Sequence, residues 1–498
     1  AMTLPATTAE PATVGDLLRD VRGWRRTRAT APLSQAVEDA YVWVFSALVV
    51  GSEVGSVLVH LSRESDASCT TSGCEGARAM LPWLVAALAV ATVLGIARVL
   101  GPVFVTPAVG SWLLPTPVDR GRLLRSRFLS VAATSVAVVT LPTVAAATLG
   151  GMAAAPAVLL AVAVAALAVV AVAGAALAQA GRPSATAWVA WLLAVATWLA
   201  LVATGDGRPL VSGPGHRLSP ALWVLLAVSA VAAGSASTIA VRRLGRLPAR
   251  TVTPGGRLVP AMSGALASLD PALAYDVVQV HVARARGFVR SRRGGPHGLG
   301  AVWWRDLTRV RRSPGPALVL LAGVAVPLAG WRAGGGTVDV LVAALVGFVA
   351  GIPLVGSLRS WTLTPSLVRT LPFRTHEVLH AALVVPACVQ LAFGLAVMPV
   401  LHAAGVGWSD VVLVGPAVGA VGLASGVRWI AAKPPNYSRP LVSTPAGGVP
   451  TNLYGSVLRG FDVLLLTVTP MLISPTATGA WISILLSATV VEVVVRRR

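Results

Sequence analysis

Residues 153–178 read AAAPAVLLAVAVAALAVVAVAGAALA, 26 positions without a charged side chain. Wound as a helix rising ~1.5 Å per residue, this run crosses the ~30 Å hydrocarbon core of a bilayer. It is solidly apolar rather than alternating, which excludes a strand of an outer-membrane barrel. Working outward, comparable runs occupy 38–60, 81–100, 129–148, 186–204 and 220–240. A second set occupies 316–332, 337–357, 380–401, 411–427, 459–475 and 477–495. The last two are short enough to form one span plus a re-entrant piece.

The composition agrees. Of 498 residues, 55% are apolar and only 12% are charged, against roughly a quarter charged in soluble domains. Mean hydropathy is +0.76. A soluble enzyme, a disordered chain and a disulfide scaffold are excluded. The expected fold class is all-α, a polytopic membrane protein of about twelve transmembrane helices in two six-helix halves.

The net charge of +21 comes from 40 basic and 19 acidic residues. All but one of the basic residues are arginine, the exception being Lys433. Nucleic acid is not the implied partner, because positive residues mark the cytoplasmic loops of membrane proteins. Arginines crowd the 1–37 tail, the 101–128 loop, the 241–315 loop and the end at Arg496, Arg497 and Arg498. Placing both termini inside leaves only Arg63, Arg78, Arg208, Arg217 and Arg332 outside. Both termini are therefore expected on the cytoplasmic side of the membrane. The first 37 residues hold no apolar stretch of signal-peptide type, so the first span is expected to act as the insertion signal. Cys69 and Cys74 fall in the outer 61–80 loop, where an oxidising environment favours a short loop disulfide. No further Cys or His stands in that loop, so no metal is expected. Cys388, inside a span, reads as a small packing residue.

The two halves echo each other. Leu18-Arg19-Asp20-Val21-Arg22-Gly23-Trp24 precedes the first span, and Trp304-Arg305-Asp306-Leu307 precedes the seventh. Both read as amphipathic interface helices, with Trp as anchor and Arg on headgroups. After the second span stands Ser111-Trp112-Leu113-Leu114-Pro115-Thr116-Pro117-Val118-Asp119-Arg120-Gly121-Arg122-Leu123-Leu124. After the eighth stands Ser360-Trp361, then Leu371-Pro372-Phe373-Arg374-Thr375-His376-Glu377-Val378-Leu379. A short helix is expected to open at the proline of each loop.

These loops resemble the coupling segments of ABC-2-type exporter permeases, in which a cytoplasmic helix after the second span docks on the ATPase. The resemblance extends to the order of interface helix, two spans, coupling loop and four spans. The 433–447 stretch, beginning Lys433-Pro434-Pro435-Asn436-Tyr437, is similar to segments of actinobacterial permease-like proteins of the DUF6297 type. The resemblance implies a half over 1–240 with coupling loop 106–128, a linker over 241–315, and a half over 316–498 with coupling loop 359–380. It assigns ATPase coupling to Pro117, Val118, Asp119, Arg120, Arg122 and Leu123, and to Phe373, Arg374, Thr375, His376 and Glu377. The implied partners are two ABC ATPase subunits, identical or a pair, besides membrane lipid and a small-molecule, lipid or peptide cargo. ATP and magnesium would be bound by those partners. The chain itself lacks a phosphate loop, because its one lysine stands before Pro434-Pro435 and not in a Gly-rich Gly-Lys-Ser/Thr turn.

Asp270-Pro271 reads as a helix start, an acid cap followed by Pro at the first helical position, opening an amphipathic helix over 271–290. Arginines 284–293 beyond it suit anionic lipid, an acidic ATPase surface or a solvated tether equally. Among acids within spans, Glu53 lies in the outer third of the first, facing a cavity or the outer headgroups. Asp462 is expected to pair with Arg459, Glu492 with the terminal arginines, and Asp339, Asp410 and His402 to sit at the rim. Two other functions compete. A major-facilitator transporter shares twelve spans and a basic loop, but Pro115 stands where its signature needs Gly. A membrane-embedded transferase needs acidic clusters that the sequence lacks.

Overall fold

Proline and glycine decide where the apolar runs stay helical and where they break. In the computed structural model, the described residues are 72–116, 119–180, 220–267, 270–286, 295–332, 336–432, 442–444, 447–449 and 458–497, with scattered positions between 19 and 63. Apart from one hairpin, the regular structure among them is helical. Among the described residues, seven helices are long and apolar enough to cross a membrane, or eight with one bent pair. The protein is a polytopic helical membrane protein. The expected span 186–204 and about half of 38–60 lie outside the described residues, as do Cys69, Pro117, Val118 and the 433–440 stretch.

Contacts divide the chain into two compact units. One comprises residues 1–70, 78–195 and 209–259, the other 71–77, 196–208 and 260–498. In the first, α1 (Ser72–Leu100), α2 (Arg120–Leu149), α3 (Ala154–Ala180) and α4 (Pro220–Arg243) are the long apolar helices, followed by α5 (Ala249–Ala267). The charge-free run that opens the sequence argument becomes α3, the packing centre. Leu160, Ala163, Ala168, Val172 and Ala173 are fully buried, and α3 packs on both α2 and α4. Its end is tied down by Gln179, whose amide nitrogen donates to the carbonyls of Val103 (3.0 Å) and Thr251 (2.6 Å).

The second unit runs α6 (Pro271–Arg286), α7 (Gly300–Arg312), α8 (Gly315–Ala322), α9 (Ala325–Arg332), α10 (Val338–Gly351), α11 (Gly356–Leu363) and α12 (Pro365–Arg369). Then come α13 (Thr375–Ala403), α14 (Trp408–Ile430), α15 (Phe461–Ile473) and α16 (Ala477–Arg496). Between α14 and α15, β1 (Val442–Thr444) pairs antiparallel with β2 (Gly447–Val449). The centre is α14, which packs on α10, α13, α15 and α16. Its glycines let neighbouring backbones approach, as small residues do in membrane bundles. A methyl at Gly422 would meet the Gly347 carbonyl carbon of α10 at 2.8 Å.

Two expected spans are broken. The 316–332 run splits at Gly323-Val324, because Pro327 would clash with the Gly323 carbonyl in a continuous helix. The 337–357 run splits at residues 352–355, around Pro353, and α11 leaves α10 at 57°. Proline alone does not break a helix here, since Pro386, Pro399 and Pro416 stay within α13 and α14. α15, in the 459–475 run, is 13 residues long, shorter than a full span.

Candidate functional site

The first predicted coupling segment is a compact turn. Val109–Leu113 forms one π-helical turn, leaving Trp112 79% exposed while Leu114 is buried. The Thr116 hydroxyl donates to the Leu113 carbonyl at 2.6 Å. Asp119 is extended and caps α2, accepting from the amides of Gly121 (2.9 Å) and Arg122 (3.4 Å). Arg120, Arg122 and Leu123 thereby form the first turn of α2, and the Arg122 side chain faces Asp119 at 3.8 Å in solvent.

The second segment follows the same plan. α12 ends at Arg369, residues 371–373 bend around Pro372, and α13 begins at Thr375. The Glu377 carboxylate accepts from the Arg374 amide at 3.0 Å and closes the first turn. Phe373, Arg374, Thr375 and His376 line an open cleft of about 480 Å³ with Arg369 and Arg496. Neither proline opens a helix. Pro115 and Pro372 stand in turns, and the helices start three to five residues later, where the carboxylate supplies the cap.

The other polar residues singled out in the sequence meet mixed outcomes. Asp270 caps α6, accepting from the amides of Ala272 (3.0 Å) and Leu273 (3.1 Å). Glu492 pairs with Arg496 and also with His380 at 2.9 Å, joining α16 to α13. Asp462, expected to pair with Arg459, faces Arg428 of α14 at 3.4 Å. Asp410 caps α16 through the Ala477 amide at 2.7 Å. Asp339 is no rim residue: it is fully buried, and neither carboxylate oxygen has a hydrogen-bond partner among the described residues. Cys388 is exposed on α13 rather than packed inside. Glu53 is helical and exposed. The side chain of Cys74 lies outside the described residues.

The sequence did not disclose a polar node that holds the α10–α11 bend. Arg359 of α11 is 6% exposed and binds Asp276 of α6 through two nitrogens, one at 2.5 Å. Its remaining nitrogen donates to the Ile430 carbonyl at the end of α14, at 3.1 Å. Beside it, Tyr275 meets Trp429 edge-on at 5.6 Å. Burial pushes the Tyr275 phenol up, against the opposing pull of Arg309 and Arg359. From α7, the buried Asp306 accepts from the Ser357 hydroxyl at 2.8 Å. Arg309 lies 3.8 Å from Asp306 and donates to the Leu354 carbonyl within the break. Arg305 sits over the Trp361 ring at 5.5 Å. Burial raises the Asp306 carboxyl above the usual range, offset in part by Ser357, Arg309 and Arg305. The expected interface helix of 304–312 is thus half correct. Arg311 and Arg312 stay exposed, while Arg305, Asp306 and Arg309 turn onto α11. An Asp inside the apolar face of α6, in a chain with so few acids, was the available signal.

The model of a family described as a family of unknown function, DUF6297, matches residues 74–440. The chain belongs to the DUF6297 family. No curated protein and no solved structure matches it. The DUF6297 match takes in both capped turns and every residue of the polar node, and it leaves out α15 and α16.

Proposed function

We propose that the chain is the membrane-spanning subunit of an ATP-binding cassette exporter, driven by ATPase subunits on separate polypeptides. The observation that carries this reading is the pair of capped turns. In each unit a short helical turn and a proline bend lead directly into a long apolar helix, of 30 residues for α2 and 29 for α13. A carboxylate closes each junction, so a push on the turn passes along the span without slack. In this reading twelve spans form two six-span halves, over 1–240 and 316–498, joined by the 241–315 linker. Both termini are cytoplasmic in a bacterial plasma membrane. Two ATPases carry the ATP and magnesium, dock on the two turns and rock the halves to release an apolar or amphiphilic cargo. Asp119, Arg120 and Arg122 would meet one ATPase, and Arg374, His376 and Glu377 the other.

A second reading, a proton-coupled transporter of major-facilitator type, draws on Asp339. A buried carboxyl without a partner cation among the described residues is the kind of group such a transporter uses.

Affinity purification of the tagged full chain from native membranes, with mass spectrometry of what accompanies it, separates the two. A stoichiometric protein bearing a phosphate loop is expected, about two copies per chain. Arg120→Glu and Glu377→Arg should each lower that association at least tenfold, whereas Glu377→Gln, which keeps an accepting oxygen, should lower it less. A chain that purifies alone under several detergents would sink the exporter reading.

A further inference from the structure

The first unit carries a groove that the coupling argument does not use. It is a cleft of about 600 Å³ on the side of α2, α3 and α4. Its body is apolar, with Leu129, Ala133 and Val136 along α2 and Val169 on α3. Its other end is basic, with Arg125 on α2 and Arg242 on α4. Arg242 stands in the last turn of α4, while Arg125 stands near the start of α2. Both arginines are exposed, and among the described residues neither meets a carboxylate.

We infer that this groove binds an anionic phospholipid of the surrounding bilayer, headgroup on the arginines and acyl chain along α2. The dimensions agree. From Arg125 to Val136 the helix rises ~16 Å, about half of the ~30 Å hydrocarbon core. The groove therefore runs from the headgroup level to the middle of the bilayer, the depth of one leaflet. Its volume lies within the ~300–1,000 Å³ usual for ligand pockets. Two cations at one end and aliphatic side chains along the rest complement an anionic amphiphile. A soluble anion would leave the apolar length unused, and a neutral lipid would leave two guanidiniums without counter-charge. The side chains of Ser237 and Thr238 line the same groove. This inference does not depend on the exporter reading, since it invokes neither an ATPase nor the capping carboxylates.

The test uses the purified full chain in mild detergent. Native mass spectrometry would measure retention of phosphatidylglycerol, phosphatidylcholine and glycerol phosphate. Phosphatidylglycerol should be retained in preference to phosphatidylcholine, and glycerol phosphate should not bind. Arg125→Gln and Arg242→Gln should each weaken phosphatidylglycerol about fivefold, the usual contribution of one basic residue at an anionic membrane surface. Arg243→Gln with Arg246→Gln, exposed arginines at the same end that do not line the groove, should leave it unchanged. Ala133→Trp, which fills the apolar length and keeps every charge, should weaken it too. Equal loss in the Arg243/Arg246 variant would mean diffuse attraction and overturn the proposal. So would tight binding of glycerol phosphate. If the Arg125 and Arg242 variants fail to fold, unchanged binding in Ala133→Trp overturns it alone.

Discussion

The residue with most at stake is Arg359. Its guanidinium satisfies both oxygens of Asp276 and a terminal carbonyl of α14 from a nearly buried position. Removing it leaves Asp276 and the Ile430 carbonyl without their donor. Arg359→Ala should cost about 2 kcal/mol, discounted from the full penalty of a buried pair because Asp276 is a third exposed. Thermal unfolding in detergent reads this, and an unchanged midpoint would show that water replaces the arginine at no cost. Asp306 behaves oppositely with pH. Its folded pKa is raised, so the charged form is the strained one. Its contribution to stability grows as pH falls through the raised value toward the ordinary carboxylate range, and is lost as pH rises. Asp306→Asn should flatten that slope, measured as unfolding midpoint against pH. At this scale the sequence exposed what is local. The Asp270-Pro271 cap is read directly, whereas Asp119 and Glu377 close helices whose starts the sequence alone puts at the prolines. Asp276 and Arg359 are 83 positions apart, and no periodicity joins them.

Helices were legible wherever the apolar run was long and uninterrupted. The 220–240 run and the 477–495 run became α4 and α16 with edges shifted by a few residues. The runs at 316–332 and 337–357 were equally apolar, yet both broke. Hydropathy senses composition over a window, whereas the break depends on one proline ring against one carbonyl. Pro353 is only part of the cause, because α11 is also held by Asp276 of α6 and by Asp306 and Arg305 of α7, through Arg359, Ser357 and Trp361. Pro353→Ala should therefore leave the bend in place, while Pro353→Ala with Arg359→Ala should let it open. Spin labels at the exposed positions Val338 and Leu363 would report this as a longer distance in the double variant only. Equal lengthening in the single variant would assign the bend to the proline alone.

For the whole molecule, membrane insertion was readable from composition alone, since no soluble arrangement hides so much apolar surface with so few charges. The division into units was harder. Contacts place the boundary at residue 259, within α5, rather than at the end of the apolar run near 240. Gln179 and the α1–α2 loop draw the first turns of α5 into the first unit, and side-chain hydrogen bonds between distant segments leave no trace in hydropathy. Two capped turns on one chain carry an expectation of stoichiometry. A chain with both turns intact should recruit two ATPases, and loss of either turn should leave one bound, as counted by light scattering of the purified complex. Binding of a single ATPase to the intact chain would refute the two-site assignment.

The bend also makes the bilayer itself a source of force. The 14 residues of α10 rise only ~21 Å, short of the ~30 Å hydrocarbon core. α11, leaning at 57°, adds only ~7 Å along the same direction. If α10 and α11 cross the bilayer as one span, a thicker membrane favours straightening of the joint and a thinner one relaxes it. Lipid thickness therefore pulls on the joint that Asp276 and Asp306 hold closed, so that chain length in the surrounding lipid sets the tension on the polar node.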